Sequence, residues 1–156
     1  MKAKILVVIP VIAIANVFIA GAQPCPPGYY SANGQAPGVP APPGYYVPTS
    51  GATNVTPADP GYYVSGYAAT NETAALPGSY CPLGAMTNVI LAPPGYVVAM
   101  SGSATLTPAA AGRYASGFGN KLASAAPTGS YVPYSGMSVA IPAVAGTTSP
   151  IWPAAP

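Results

Sequence analysis

Very few side chains in this chain can carry charge or act as a nucleophile, so their positions are weighed first. Apart from Lys2 and Lys4 at its start, the charged residues are Asp59, Glu72, Arg113 and Lys121, and the 156 residues contain no His. General acid-base work needs titratable groups gathered at one reacting atom, and His is the side chain most often used for it. Asp59 and Glu72 stand 13 residues apart with no His, Lys or metal-ligating partner near them in sequence, so they read as isolated, solvated acids. Two thiols, Cys25 and Cys81, complete the inventory. There is no metal-ligand spacing, no nucleophile triad and no phosphate-cradling loop. The expectation is a chain that is not an enzyme and takes no cofactor, whose role rests on what its small and apolar residues build.

With 22 Pro and 18 Gly, the chain resists helix interiors and central strands, and this excludes a helical bundle. Residues 5–19 are the exception: an apolar run behind Lys2 and Lys4 that ends in Ala20, Gly21 and Ala22. That is the pattern of a secretory signal peptide, with cleavage after Ala22. The alternative keeps it as a hydrophobic helix, either a membrane anchor or the core of a filament. Without residues 1–22 the formal net charge falls from +2 to zero, because Arg113 and Lys121 then balance Asp59 and Glu72. Such a chain has no like-charge repulsion between copies and no basic face for nucleic acid or anionic lipid. Leu, Ile, Val and Phe supply only 19 of residues 23–156, so any core is thin.

A period organises the rest. Glycines recur at Gly28, Gly44, Gly61, Gly78, Gly95, Gly112, Gly129 and Gly146, spaced by 16 once and by 17 six times. Two residues after each of the first seven stand Tyr30, Tyr46, Tyr63, Tyr80, Val97, Tyr114 and Tyr131, a column that is nearly all Tyr. The next residue is mostly Val, and the Tyr-Val step reads as a short strand. Seven residues after the glycine, from Gly51 to Gly136, only Gly and Ala occur, which reads as a tight turn. Fourteen residues after it stand Ala58, Ala75, Ala92, Ala109, Ala126 and Ala143, a column that admits nothing larger than a methyl. Each unit is expected to run as strand, glycine turn, second strand such as residues 52–56, and a Pro-rich turn such as residues 57–60. Units this small cannot bury a face alone, so they must stack, with the Tyr column as an internal ladder that supplies most of the core. One solenoid coil per unit would give a rod about 34 Å long, and stacked hairpins a longer one.

The word Cys25-Pro26-Pro27-Gly28-Tyr29-Tyr30-Ser31, followed by Gly34, resembles the unit of the ephrin-receptor-like cysteine-rich repeats. In that family the Cys three places before the Gly is disulfide-bonded, and Cys25 holds that column. Later units place Ala41, Ala58, Ala75 and their successors there, so the resemblance implies no covalent framework beyond the first unit. Those later units are similar to the GYYV-type repeats of secreted bacterial surface proteins. The resemblance implies an extracellular repeat module with nothing catalytic in it.

Several motifs have two readings. Cys25 and Cys81 in an exported chain suggest a disulfide, reached by fold-back of the N-terminal arm or formed between subunits, with free thiols as the remaining choice. Asn54 and Asn71 begin glycosylation sequons in one column, or are recurring turn residues. The Tyr column is a stacking ladder or a face that holds glycan or another surface polymer. Ile151 and Trp152 cap the last unit or anchor into the next subunit.

The expected architecture is therefore all-β, an elongated tandem stack as a β-solenoid or stacked short hairpins. Residues 1–22 form the leader or a retained helix, 23–27 an arm, 28–145 seven repeats, and 146–156 a truncated last repeat. The expected role is a secreted, cell-surface structural protein whose partner is itself, polymerising into a filament, sheath or appendage through unprotected strand edges. The alternative is a monomeric adhesion module whose Tyr face binds glycan.

Overall fold

The computed structural model describes residues 21–144. The expected leader helix over residues 5–19, and Ile151 and Trp152, lie outside the described residues.

Each unit opens with a turn around its glycine, which proline directly precedes in five of the seven. In the unit of Gly44, Tyr45 N–H donates to Pro42 C=O (3.1 Å) across Pro43 and Gly44, and Gly44 has φ 87°. This is a type II turn, in which proline pre-sets the second residue and the third needs positive φ. Two residues of strand follow, then a loop, then two residues that return antiparallel. β1 (Tyr29–Tyr30) pairs with β2 (Val39–Pro40), β3 (Tyr45–Tyr46) with β4 (Thr56–Pro57), and β5 (Tyr62–Tyr63) with β6 (Thr73–Ala74). β7 (Ser79–Tyr80) pairs with β8 (Ile90–Leu91), and β9 (Tyr96–Val97) with β10 (Thr107–Pro108). β11 (Arg113–Tyr114) pairs with β12 (Ser124–Ala125), and β13 (Ser130–Tyr131) with β14 (Ile141–Pro142). The described chain is all-β, seven separate two-stranded hairpins, each named below by its opening glycine. Of the two stacking modes expected, it is the hairpin that occurs.

The second strand lies later than expected. In hairpin 44 it is Thr56–Pro57, where residues 52–56 were expected as strand and residues 57–60 as turn. Proline is tolerated because Pro57 faces Tyr45 in the register, one step from the closing bond in which Ala58 N–H donates to Gly44 C=O (2.9 Å). Hydrogen-bonded and non-bonded pairs alternate in an antiparallel ladder, so this site needs no N–H. Ala52, by contrast, turns its C=O to the neighbouring hairpin, accepting from Ser31 N–H (3.2 Å).

Three backbone bonds recur from step to step, two between successive hairpins and one to the hairpin two steps back. Between hairpins 44 and 61, Gly44 N–H donates to Val64 C=O (2.8 Å) and Val47 N–H to Ala69 C=O (2.9 Å), while Ala68 N–H reaches back two steps to Ala41 C=O of hairpin 28 (2.8 Å). Between hairpins 61 and 78 the same bonds join Gly61 to Cys81 (2.7 Å) and Val64 to Met86 (2.9 Å), and Ala85 reaches back to Ala58 of hairpin 44 (2.8 Å). At a net of about 0.5–1.5 kcal/mol each, such bonds repeated at every step carry much of the cohesion of a thin-cored stack.

The core consists of two interleaved columns. Cys25, Ala41, Ala58, Ala75, Ala92 and Ala109 form one, and Val47, Val64, Cys81, Val98, Ala115 and Val132 the other, all at 4% exposure or less. Strand side chains alternate between faces, so turning Val47 inward turns Tyr46 toward the flank. Tyr30, Tyr46, Tyr63, Tyr80, Tyr114 and Tyr131 are accordingly half-buried. The expectation that they supply most of the core is corrected: that role falls to the column one residue further on and to the alanines.

Candidate functional site

The surfaces with structural capability are the contacts between hairpins and the two ends of the ladder. Within the stack the opening glycine has two jobs. Its φ makes the turn, and its bare Cα lies under the loop of the hairpin two steps on. A β-carbon built on Gly61 would overlap the carbonyl oxygen of Gly102 and stand 2.8 Å from its carbonyl carbon. Gly28, Gly44, Gly78 and Gly95 meet Ala68, Ala85, Gly119 and Gly136 in the same way. The small-residue column seven places along is thus both a turn and the lid over an earlier hairpin. Ala68 and Ala85 hold φ of 54° and 56° there, where other hairpins use glycine.

At the N-terminal end the chain builds half of a preceding hairpin from its own first loop. Gly34 takes the part of an opening glycine. Its N–H donates to Ser31 C=O (3.0 Å), as Gly28 N–H donates to Val47 C=O (2.9 Å). Its C=O accepts from Cys25 N–H (2.9 Å), as Gly28 C=O accepts from Ala41 N–H (2.8 Å). A β-carbon on it would fall 2.5 Å from the Gly51 oxygen, again under the following loop. Gln35 bridges Pro24, and Ala36 N–H donates to Gln23 C=O (2.7 Å), copying the paired strands.

Side chains finish this closure. Ser31 Oγ donates to Gln35 C=O (2.7 Å), and the Cys25 sulfur lies 3.1 Å from the same oxygen. With the Gln35 amide oriented to satisfy both its ends, its nitrogen donates to Ala22 C=O (2.7 Å) and Gln23 C=O (3.1 Å). The ladder acceptors of the first hairpin, Ser31 C=O and Gln35 C=O, are thereby used internally. At the other end, Gly129 N–H, Val132 N–H and Ala126 C=O, whose equivalents in earlier hairpins bond to later ones, have no partner among the described residues.

The alanines expected to carry stacking divide accordingly. Ala58, Ala75, Ala92 and Ala109 are sealed at 1% exposure or less. Ala126 and Ala143, in the last two hairpins, are half-buried because no further described hairpin covers them.

Cys25 and Cys81 are both free thiols at 0% exposure. Cys25 sits in the alanine column and Cys81 in the valine column, so each serves as a small core residue, and burial pushes the Cys81 thiol pKa up. No bond joins them in the structure.

The acids are closer than their sequence separation implied. Glu72 Oε2 accepts from Asp59 N–H at 2.7 Å, and Asp59 C=O accepts from Tyr62 N–H (2.9 Å), so the pair braces one turn. Beside them the Tyr46 phenol pKa is raised, chiefly by desolvation and then by the charges of Glu72 and Asp59. The bond is to the Asp59 main chain, a partner for Glu72 that the spacing did not reveal. Arg113 spends its guanidinium on Ala123 C=O (3.0 Å) within its own hairpin. Among the described residues no group of three or more His, Cys, Asp or Glu is placed to hold a metal ion. Asn54 and Asn71 are both exposed.

The closing role of Gly34, Ser31 and Gln35 escaped the sequence reading, although Ser31 and Gly34 stand in the word of the first unit. Their signal was the single 16-residue spacing, which brings a glycine six places after Gly28 instead of seven. No protein-family model matches the chain, and no curated protein matches it.

Proposed function

We propose that the chain is an exported structural protein whose stacked hairpins form an elongated, stiff unit that associates with its own kind into an extracellular filament, sheath or surface appendage. The observation that carries this reading is the recurrence of one set of backbone bonds from hairpin to hairpin, which makes mechanical continuity independent of side-chain chemistry. Zero net charge over residues 23–156 supports it, since copies meet without repulsion. The closed N-terminal end argues against copies joining head to tail by extending the ladder, so association is assigned to the flanks. Export rests on the leader pattern of residues 1–22.

Electron microscopy of the purified protein over a range of concentrations tests the proposal. Ordered assemblies that persist in reductant are expected, because both thiols are buried. Monodisperse particles at every concentration overturn it. The half-buried Tyr column favours one other reading, a glycan-binding face, which predicts a stable monomer whose tyrosine fluorescence changes with added polysaccharide.

A further inference from the structure

The loops that connect the two strands of each hairpin carry a feature the period alone does not require. In the five hairpins from Gly61 onward, one large apolar residue stands at the loop tip, five or six places after the glycine: Tyr67, Leu83, Met100, Phe118 and Tyr134. They are 71%, 68%, 74%, 71% and 74% exposed. Each is paired in its tip with a residue that gives it room, namely Gly66, Gly84, Ser101, Gly117 and Ser135. The tip of hairpin 44 is instead Thr49-Ser50, and that of hairpin 28 is Ala32-Asn33. Hairpin 44, with its polar tip, makes the same turn as hairpins 78, 95 and 129, so that turn does not call for apolar residues.

The tips form a regular row. The residue that follows each is anchored by an equivalent bond: Ala68 to Ala41, Ala85 to Ala58, Gly102 to Ala75, Gly119 to Ala92 and Gly136 to Ala109, each at 2.8 Å. In five of the seven hairpins one apolar side chain therefore leaves the loop tip, five places after the glycine at Leu83, Met100 and Tyr134 and six places after it at Tyr67 and Phe118. Large side chains of this kind present about 150–250 Å² each, so five of them roughly 70% exposed leave roughly 500–900 Å². A stable interface of standard size takes about 800 Å² from each partner.

We propose that this row is the surface by which a second copy of the chain packs alongside the first. The inference rests on the self-association reading and names its contact. A second copy matches the row in period, one tip per hairpin, and in charge, since neither copy brings net charge from residues 23–156. A lipid surface fits less well, because interfacial elements flank their apolar face with Lys and Arg. Among the described residues the cations are Lys121, which is exposed, and Arg113, which is tied to Ala123.

Sedimentation of the full chain at several concentrations, beside a variant carrying Leu83→Ser, Met100→Ser and Phe118→Ser, tests this. The substituted side chains are exposed, so thermal unfolding is expected to stay within a few degrees of the parent. The midpoint concentration for association is expected to rise at least tenfold. Thr49→Leu, which extends the row into hairpin 44, is expected to lower it, and this second variant keeps the test sound if the triple variant folds poorly. Association unchanged in both variants overturns the row while leaving self-assembly standing. A parent chain that is monomeric throughout overturns both readings. Binding of a monomeric parent to phosphatidylcholine vesicles, lost in the triple variant, overturns the second-copy assignment in favour of lipid.

Discussion

Replacing Gly61 with alanine separates the two demands on the opening glycine. The first is backbone: Gly61 has φ 94°, and an L-residue with a β-carbon in the left-handed region loses about 1–2 kcal/mol. The second is space: the new β-carbon overlaps the carbonyl of Gly102, and backbone on both sides leaves no flexible side chain to give way. Forcing an extra carbon into a packed contact costs about a further 1–3 kcal/mol. Gly129→Ala is the control within the same molecule. Gly129 has φ 81°, but a β-carbon there meets nothing within 4 Å among the described residues, so only the first cost applies. Gly61→Ala is thus expected to destabilise by roughly 2–5 kcal/mol and Gly129→Ala by about 1–2 kcal/mol. With a urea slope of about 1–3 kcal/mol per molar, the two midpoints should differ by about 1 M. Hydrogen exchange adds a local readout, since the Gly102 N–H bonded to Ala75 C=O (2.8 Å) should lose protection in Gly61→Ala and keep it in Gly129→Ala. Equal losses of stability with unchanged Gly102 protection would refute the contact between a hairpin and the one two steps on.

Other consequences follow from single sites. Ala68→Gly relieves a φ of 54° and is expected to stabilise by up to about 1 kcal/mol, seen as a rise of a few degrees in the thermal midpoint. Because burial, Glu72 and Asp59 raise the Tyr46 pKa in the folded state, its contribution to stability is complete below the ordinary tyrosine value of 10.0 and is lost as pH rises through the raised value. Glu72→Gln should bring the Tyr46 titration, followed by tyrosinate absorbance, back toward that ordinary value. Cys25 and Cys81 should react with a thiol reagent only as fast as the stack opens, and Cys81→Val, which restores its column's usual residue, should change stability by less than about 1.5 kcal/mol.

Much of this architecture is written in residue types that tolerate no substitute. A glycine recurring every 16 or 17 residues counts the units, and an all-alanine column names a place where backbones close on one another, so the number of repeats and the alanine half of the core were legible. The other half was misassigned because Tyr and Val are adjacent and both favour strands. Which of Tyr46 and Val47 faces inward depends on a register that a two-residue strand does not reveal, and a shift of one residue reverses the answer. The second strand was misplaced for a related reason, since proline reads as a turn until the pairing puts Pro57 where no N–H is needed. The neighbourhood of Asp59 and Glu72 depends on the path of a loop, which no periodicity encodes.

The one irregular spacing proves to be the most informative. A run of identical hairpins has no reason to stop: the first would offer its acceptors to a preceding copy just as every other hairpin offers them to its predecessor. Losing one residue between Gly28 and Gly44 draws Gly34 back over the first hairpin, where it uses Ser31 C=O itself and receives Cys25 N–H in return. The arm at residues 23–25 then completes half a hairpin, and Ser31 Oγ occupies the remaining acceptor at Gln35. The ladder is thereby made directional, closed at its head, with Gly129 N–H, Val132 N–H and Ala126 C=O unpartnered among the described residues at the far side. A stack closed in this way cannot recruit another copy by backbone at its head. On the proposed self-association, what remains is the flank, where the loop tips vary between polar and apolar while the bond that anchors each from hairpin 61 onward stays at 2.8 Å.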